Sequence, residues 1–145
     1  MNKPKNLLLV EDDSQDEQLI LRSLRKVNLA NSVDVVRDGQ QALDYLFREG
    51  EFAGRPGTDL PAVVLLDINL PRVNGLEVLR RLRADPRTRL VPVAMLTSSD
   101  EDRDRVKSYE DGANSFVRKP LEFAEFAETA ARLGVYWVAV NQPPQ

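Results

Sequence analysis

The sequence predicts an α/β fold built on a doubly wound, five-stranded parallel sheet with strand order 2-1-3-4-5. Short apolar runs alternate with helical patterns five times along the 145 residues, which is typical of parallel strands joined by crossover helices. Three of these runs are almost continuous in Val, Leu and Ala. Such composition is expected of strands that are buried on both faces, so the helices should cover both sides of the sheet.

Five apolar runs are predicted to be the strands of this sheet. They are Leu7 to Val10, Val33 to Val36, Ala62 to Leu66, Val91 to Leu96 and Ser115 to Val117. Pro92 must lie at the beginning of its strand because proline has no N–H group to donate to a neighbouring strand. The stretch Gly50 to Pro61 holds three glycines and two prolines, which predicts an exposed loop within one domain.

The helices are predicted from apolar positions that recur on one face. Ser14 and Glu17 have capping-box spacing, which predicts the start of the first helix. The apolar stripes of the first, second, third and fifth helices are Ile20, Leu24 and Val27; Ala42, Leu43 and Leu46; Val78, Leu79 and Leu82; and Phe123, Phe126, Ala127 and Ala130. The fourth, Glu101 to Glu110, offers only Val106 and Tyr109 as apolar anchors, so it should be held more weakly than its neighbours.

Composition limits the chemistry that the chain can perform. It has no cysteine and no histidine, which excludes thiolate or imidazole nucleophiles, bases and metal ligands. The net charge of -3 comes from interspersed charges with no basic stripe for nucleic acid. No apolar run is long enough to cross a bilayer, and the N-terminus has no signal-peptide pattern. We therefore expect a cytoplasmic protein that binds neither nucleic acid nor membranes.

Polar residues follow four of the predicted strands at their carboxyl ends. Glu11 and Asp12 follow the first strand, Asp67 the third, Thr97 the fourth and Lys119 the fifth. With strand order 2-1-3-4-5, the first and third strands meet at the topological switch point, where open α/β sheets bind ligands. Glu11, Asp12 and Asp67 should therefore converge.

Three converging carboxylates repel one another unless a cation neutralises them, and Mg²⁺ prefers oxygen ligands of this kind. In such a site Asp67 could attack a phosphoryl group as a covalent nucleophile, while Lys119 and Thr97 stabilise the product oxygens. Each residue also has an ordinary structural explanation, such as a helix cap, a turn or a solvated side chain. Their joint placement favours the functional interpretation.

Four motifs in this order resemble the receiver domains of bacterial two-component response regulators. They are Leu8-Leu9-Val10-Glu11-Asp12, Leu65-Leu66-Asp67, Leu96-Thr97-Ser98 and Phe116-Val117-Arg118-Lys119-Pro120. Asp38-Gly39 and Asn74-Gly75 lie where that family has turns. The resemblance covers residues 5–133 and implies a flavodoxin-like receiver domain, with residues 134–145 as a C-terminal extension.

The resemblance also implies roles for individual residues. Asp67 would be the phosphoacceptor, and Glu11, Asp12 and the main-chain carbonyl of Asn69 would join it around Mg²⁺. Thr97 would sense the phosphoryl group together with the switching aromatic Phe116, and Lys119 would precede a cis proline, Pro120. Phe116 could equally be an ordinary core residue.

A chain without histidine cannot be the histidine kinase that usually supplies the phosphoryl group, so a separate sensor kinase is implied. By resemblance, it would dock on the first helix near Gln15, Gln18, Leu19 and Arg22 and on the Pro120-Leu121 turn. The long loop and the apolar tail resemble the small single-domain regulators that partner bacterial phytochrome kinases. The downstream target is unknown and should be reached by a protein contact.

The tail from Val135 to Val140 is apolar and β-prone. It could fold back on its own sheet, or it could cross to a second protomer and form a homodimer in which Tyr136 and Trp137 supply the interface.

Three other functions remain open at this point. Asp67-x-Asn69 partly matches the nucleophile motif of haloacid-dehalogenase-like aspartyl phosphatases, although Asp67 follows the third strand and not an early one. An FMN-binding flavodoxin-like module shares the sheet topology, but the acidic run Glu11 to Ser14 lacks a glycine-rich phosphate cradle. A purely structural adaptor would not need Asp67 to be phosphorylated. We expect a signalling protein and not a turnover enzyme.

Overall fold

The computed structural model describes residues 6–26, 33–54, 60–97 and 115–118, with Lys26, Thr97 and 115–118 described by their backbone alone. The strands are β1 (Leu7–Val10), β2 (Val33–Val36), β3 (Val63–Asp67), β4 (Val93–Thr97) and β5 (Ser115–Arg118). The described helices are α1 (Ser14–Lys26), α2 (Gly39–Phe47), α3 (Gly75–Ala84) and a short 3-10 helix, Gly50–Phe52. The predicted fourth and fifth helices and the tail lie outside the described residues.

All five strands are parallel and form one sheet in the order β2-β1-β3-β4-β5. The predicted fold class and strand order are therefore confirmed. Three strands differ from the prediction by one or two residues at their ends, since β3 is Val63–Asp67, β4 is Val93–Thr97 and β5 ends at Arg118. β4 begins at Val93 and not at Val91, because Pro92 has no N–H group for the ladder. β3 includes Asp67, which pairs in register with Leu96.

Successive strand residues point to opposite faces of the sheet, and each face has its own core. On one face, Leu8 and Leu66 pack with the apolar sides of α2 and α3. On the other face, Leu9 and Leu65 pack with Ile20 and Leu24 of α1. This division explains why the predicted runs of β1 and β3 are apolar at every position. It confirms the predicted apolar faces of α2 and α3 and, for α1, Ile20 and Leu24, whereas Val27 lies outside the described residues.

The prediction that Ser14 and Glu17 cap α1 is wrong. Asp13 is the capping residue, because its Oδ1 accepts hydrogen bonds from the amides of Gln15 and Asp16 at 2.8 and 2.9 Å. Glu17 instead forms an ion pair with Arg37 at 3.2 Å. A carboxylate satisfies the first free amides of a helix as well as a serine does, so the start of α1 is shifted by one residue relative to the capping box.

The two Asx-Gly pairs are helix caps and not simple turns. Asp38 accepts a hydrogen bond from the Gln41 amide, and Asn74 accepts one from the Glu77 amide. In the first turn of α3, hydrogen bonds from Arg80 and Arg81 lower the pKa of Glu77 to about 2. This carboxylate therefore stays charged near neutral pH and complements the positive end of the helix dipole.

In the stretch Gly50 to Pro61, of which residues 55–59 lie outside the described residues, Gly50, Glu51, Ala53 and Gly54 are exposed as predicted, but the described part is not wholly irregular. Its first part forms the 3-10 helix, in which Phe52 packs edge-on against Tyr45 with ring centroids 5.3 Å apart. Pro61, at its end, is buried. The aromatic pair explains the difference, because it gives this part of the loop an apolar contact that glycine and proline content does not reveal.

Candidate metal and phosphorylation site

Parallel pairing brings the carboxyl ends of β1 and β3 side by side. Val10 is in register with Leu66, so the residues that come next, Glu11 and Asp67, lie next to one another at the same edge of the sheet. β1 leads through α1 to β2 on one side of the sheet's centre, whereas β3 and β4 lie on the other side. The direction in which the chain adds strands to the sheet therefore reverses between β1 and β3. This reversal makes the edge the topological switch point where doubly wound sheets bind ligands.

Three carboxylates meet at this switch point. Glu11, Asp12 and Asp67 each offer an oxygen atom, and these atoms all lie within 4.8 Å of one another. Glu11 is 0% exposed and Asp67 is 4% exposed, whereas Asp12 is exposed to solvent. The predicted convergence of these residues is confirmed. The cluster therefore has a buried floor and an open, charged rim through which a ligand can enter.

Short-range hydrogen bonds orient the two buried carboxylates. Oε2 of Glu11 accepts from the Asp13 amide at 3.2 Å, and Oδ1 of Asp67 accepts from the Asn69 amide at 3.3 Å. The Glu11 amide donates to the Val36 carbonyl at 3.1 Å, which ties the residue to the end of β2. Each carboxylate is therefore held by the loop that follows it, so the shape of those loops sets the geometry of the cluster.

The donor set fits a hard divalent cation such as Mg²⁺. Three carboxylate oxygens within 4.8 Å supply the oxygen ligands that Mg²⁺ prefers. Burying charged carboxylates without a counter-charge costs several kcal/mol per group, on the order of magnitude found for buried ions in general. A cation at this position would offset that cost, and the exposed side of Asp12 leaves room for water ligands.

Gly75, at the start of α3, lies directly against the main chain of Asp67. A Cβ atom at residue 75 would approach the Asp67 carbonyl oxygen to 2.2 Å and the Ile68 Cα to 2.8 Å, so no larger residue fits. The Gly75 amide also donates to the Ile68 carbonyl at 2.8 Å. The sequence predicts a turn at Asn74-Gly75 and does not predict this contact. The glycine directly after the capping residue Asn74 is the feature that could have indicated it.

Not every predicted site residue can be placed relative to the cluster. Thr97 ends β4, immediately after the residue that pairs with Asp67, and Phe116 lies in β5 in register with Met95. Asn69 is exposed and follows β3 by two residues. Lys119, Pro120, Tyr136 and Trp137 lie outside the described residues.

Comparison with known families agrees with this site. Residues 7–131 match the response regulator receiver domain. Because this match spans most of the 145 residues, the chain belongs to the response regulator receiver domain family.

Solved structures of response regulators resemble the whole chain. The bacteriophytochrome response regulator RtBRR is 54% identical with a TM-score of 0.88, and the match covers 97% of this chain and 84% of that one. AtBRR, also a bacteriophytochrome response regulator, is 50% identical with a TM-score of 0.89, covering 97% and 100%. The Mn²⁺-bound form of Rcp1 is 30% identical with a TM-score of 0.75, covering 98% and 100%. In sequence, Rcp1 of Synechocystis is 31% identical over 94% of this chain and 91% of its own.

Family membership decides between the functions that the sequence left open. Receiver domains accept a phosphoryl group and signal by it, and they are signalling proteins in general. The comparisons lend no support to an aspartyl phosphatase or to an FMN-binding module. Within the described ranges, no helix has the length and apolar content that crossing a bilayer requires.

Proposed function

We propose that this chain accepts its phosphoryl group on Asp67, with Mg²⁺ held by Asp67, Glu11, Asp12 and the main-chain carbonyl of Asn69. The observation that carries the proposal is the cluster of three carboxylates within 4.8 Å at the β1–β3 switch point. Asp67 is the member of the cluster that is itself the last residue of a strand, β3. A rigid strand end holds a nucleophile in a fixed direction for in-line attack.

In the proposed reaction, an oxygen of the Asp67 carboxylate attacks the phosphorus of a phosphohistidine on the kinase. The new O–P bond forms as the P–N bond breaks, and the electron pair of that bond stays on the imidazole nitrogen. A bound Mg²⁺ would supply charge neutralisation for the transferring group. Lys119 and the Thr97 hydroxyl would stabilise the phosphoryl oxygens.

The same site would return the protein to its resting state. Water attacks the phosphorus of the acyl phosphate, the bond between Asp67 and phosphorus breaks, and inorganic phosphate leaves. Between these two steps, Thr97 and Phe116 are proposed to shift the β4–β5 side of the sheet toward a signalling conformation. The output would be a contact with a protein target in the cytoplasm, and no nucleic acid or membrane would be bound.

A sensor histidine kinase is the proposed phosphoryl donor, and a bacteriophytochrome is its proposed class. Two of the solved structures that resemble this chain are bacteriophytochrome response regulators. On α1, Gln15, Gln18 and Arg22 are exposed, and Leu19 is an unusual apolar residue among them with 41% exposure. An exposed apolar residue inside a polar helix face suits a transient docking site.

A Leu19→Asp variant separates docking from chemistry. We expect at least a 10-fold slower transfer from a phosphorylated bacteriophytochrome kinase, because a charge would be buried at the contact. The rate of phosphorylation by acetyl phosphate, which needs no docking, should be the same for the variant and the wild type. Leu90→Asp is the matched control, since Leu90 is 84% exposed and lies far along the chain in the α3–β4 connection.

Equal transfer rates for wild type and Leu19→Asp would exclude α1 as the docking surface. Transfer from unrelated histidine kinases at the same rate as from a bacteriophytochrome would contradict the proposed class of partner.

The C-terminal extension, residues 134–145, is proposed to join two copies of the chain through Tyr136 and Trp137. Its apolar run Val135 to Val140 suits a contact of this kind. Light scattering at micromolar concentration should give the mass of a dimer, and a Trp137→Ala variant should shift the equilibrium toward monomer by removing the largest buried side chain. A monomeric wild-type chain at that concentration would contradict the proposal.

A further inference from the structure

The β2–α2 turn, residues 36–39, contacts both halves of the proposed metal site although it contributes no ligand. The Val36 carbonyl accepts a hydrogen bond from the Glu11 amide at 3.1 Å, which reaches the loop after β1. Three residues later, the Gly39 amide donates to the Pro71 carbonyl at 3.3 Å, which reaches the loop after β3. The turn therefore bridges the two loops that carry the carboxylates.

Gly39 packs so closely against the loop after β3 that a side chain would not fit at this position. A Cβ atom at residue 39 would lie 1.7 Å from the carbonyl oxygen of Val73 and 2.8 Å from its Cβ. The main-chain oxygen cannot rotate away as a flexible side chain could. Gly39 does not have a positive φ angle, unlike Gly50, and alanine is a better helix residue than glycine. Close approach to Val73, and not the helix or a turn, therefore requires glycine here.

The segment that Gly39 contacts is continuous with the site. Residues 68–75 form a loop that closes through the hydrogen bond from the Gly75 amide to the Ile68 carbonyl. Leu70 is buried within it, and Arg72 has a φ of 69°, a conformation that residues other than glycine seldom adopt. The Val73 amide donates to the Pro71 carbonyl across Arg72 at 2.8 Å. A strained conformation of this kind persists only where the surroundings hold it.

Side-chain contacts account for little of this restraint. Arg72 Nη1 lies 4.0 Å from Asp38 Oδ2, and its side chain is 68% exposed. Exposed ion pairs at this distance stabilise proteins weakly. Gly39 is buried and its amide donates a hydrogen bond to the Pro71 carbonyl, so its main chain restrains the loop more than this exposed ion pair does.

We propose that Gly39 is a positioning residue for metal binding and phosphorylation, acting through the main chain of residues 71–73. The proposal rests on the function proposed for the carboxylate cluster. A side chain at residue 39 would force apart the two loops by moving either residues 71–73 or the start of α2. The first movement reaches Asn69 and Asp67, and the second reaches Glu11 through Val36. Either movement changes the distances among the three carboxylates.

The test is the dissociation constant for Mn²⁺, measured by calorimetry on the full chain. We expect Gly39→Ala to weaken binding by about 10-fold, the lower end of what a change behind the ligands costs in metal sites. Gly54→Ala is the matched control, because a Cβ there meets nothing within 4 Å, and its affinity should equal that of wild type. Unchanged affinity in a folded Gly39→Ala protein would overturn the proposal. No binding by the wild type would instead overturn the proposed function.

A second pair of variants tests the same positioning without a steric clash. Asp38→Ala and Asp38→Asn remove the same charge, but only asparagine can still accept the hydrogen bond that Gln41 donates at 2.7 Å to cap α2. We expect Asp38→Ala to bind Mn²⁺ about threefold more weakly than Asp38→Asn, because Gly39 would be less firmly held. Equal affinities for the two variants would contradict a positioning role for the start of α2.

Discussion

An Asp67→Asn variant is expected to form no phosphoryl adduct when it is incubated with acetyl phosphate and Mg²⁺. The amide that replaces the carboxylate lacks the anionic oxygen that attacks phosphorus, and loss of a covalent nucleophile slows such reactions by at least about 1,000-fold. Neither Glu11, which is fully buried, nor Asp12, which is exposed at the rim, occupies the strand end that aligns the nucleophile. We therefore expect no other residue to substitute for Asp67.

Intact-mass spectrometry measures this prediction directly. Wild type should gain a single phosphoryl group, and a chelator should prevent its formation. Asp44→Asn is the control, because it makes the same substitution outside the cluster. Asp44 lies on α2 and accepts a hydrogen bond from the Gln40 side chain. A phosphoryl adduct on Asp67→Asn would show that the acceptor is a different residue.

Absence of an adduct on the wild type would need a second measurement, because a short-lived acyl phosphate can hydrolyse before analysis. Beryllofluoride forms a stable mimic of phosphoaspartate and should bind wild type but not Asp67→Asn. If it bound neither protein, the chain would have a receiver fold without receiver chemistry.

The sheet could be predicted from the sequence because each of its features has a local pattern. Strands such as β1 and β3 are buried on both faces, so their runs are almost continuously apolar, and the shortness of these runs favours strands over helices. The convergence of Glu11 and Asp67 followed from the strand order 2-1-3-4-5, which makes β1 and β3 neighbours at the switch point.

Contacts between distant main-chain segments could not be predicted in the same way. Gly39 and Gly75 each follow an Asx residue, and in the sequence this pattern indicates a turn. In the structure each glycine is required because a main-chain carbonyl group, that of Val73 for Gly39 and that of Asp67 at the end of β3 for Gly75, occupies the space of its Cβ atom. Such a requirement depends on how two loops pack, which is set by the whole fold and not by neighbouring residues.

The start of α1 illustrates a competition between two local patterns. Ser14 with Glu17 has the spacing of a capping box, but Asp13 is one residue earlier and caps the helix itself. Glu17 is then available for Arg37, which follows β2. The tertiary contact with Arg37 decides between the two patterns, and it joins α1 to the same β2–α2 turn that contacts the carboxylate cluster.

The carboxylate cluster is also expected to reduce the stability of the metal-free protein. Two of its three members are buried, and their oxygens lie within 4.8 Å of one another. At such distances, repulsion between two like charges amounts to roughly 3 to 4 kcal/mol with an effective dielectric constant of about 20. Asparagine has nearly the same shape as aspartate, so Asp67→Asn removes this repulsion without leaving a cavity. In a chelator, the variant should therefore have a higher free energy of unfolding than the wild type.

Saturating Mg²⁺ should reduce the difference in stability between the two proteins. A ligand that binds only the folded state stabilises it by about 2.7 kcal/mol when its concentration is 100 times its dissociation constant. Wild type would gain this stabilisation, whereas the variant has lost one of its ligands and would gain less. Urea unfolding with and without Mg²⁺ measures both differences, and for the control Asp44→Asn the difference from wild type should be independent of the metal. A variant that is less stable than wild type in the chelator would mean that the negative charge of Asp67 strengthens its hydrogen bond with the Asn69 amide by more than the repulsion costs, so that the site would be organised before any cation binds.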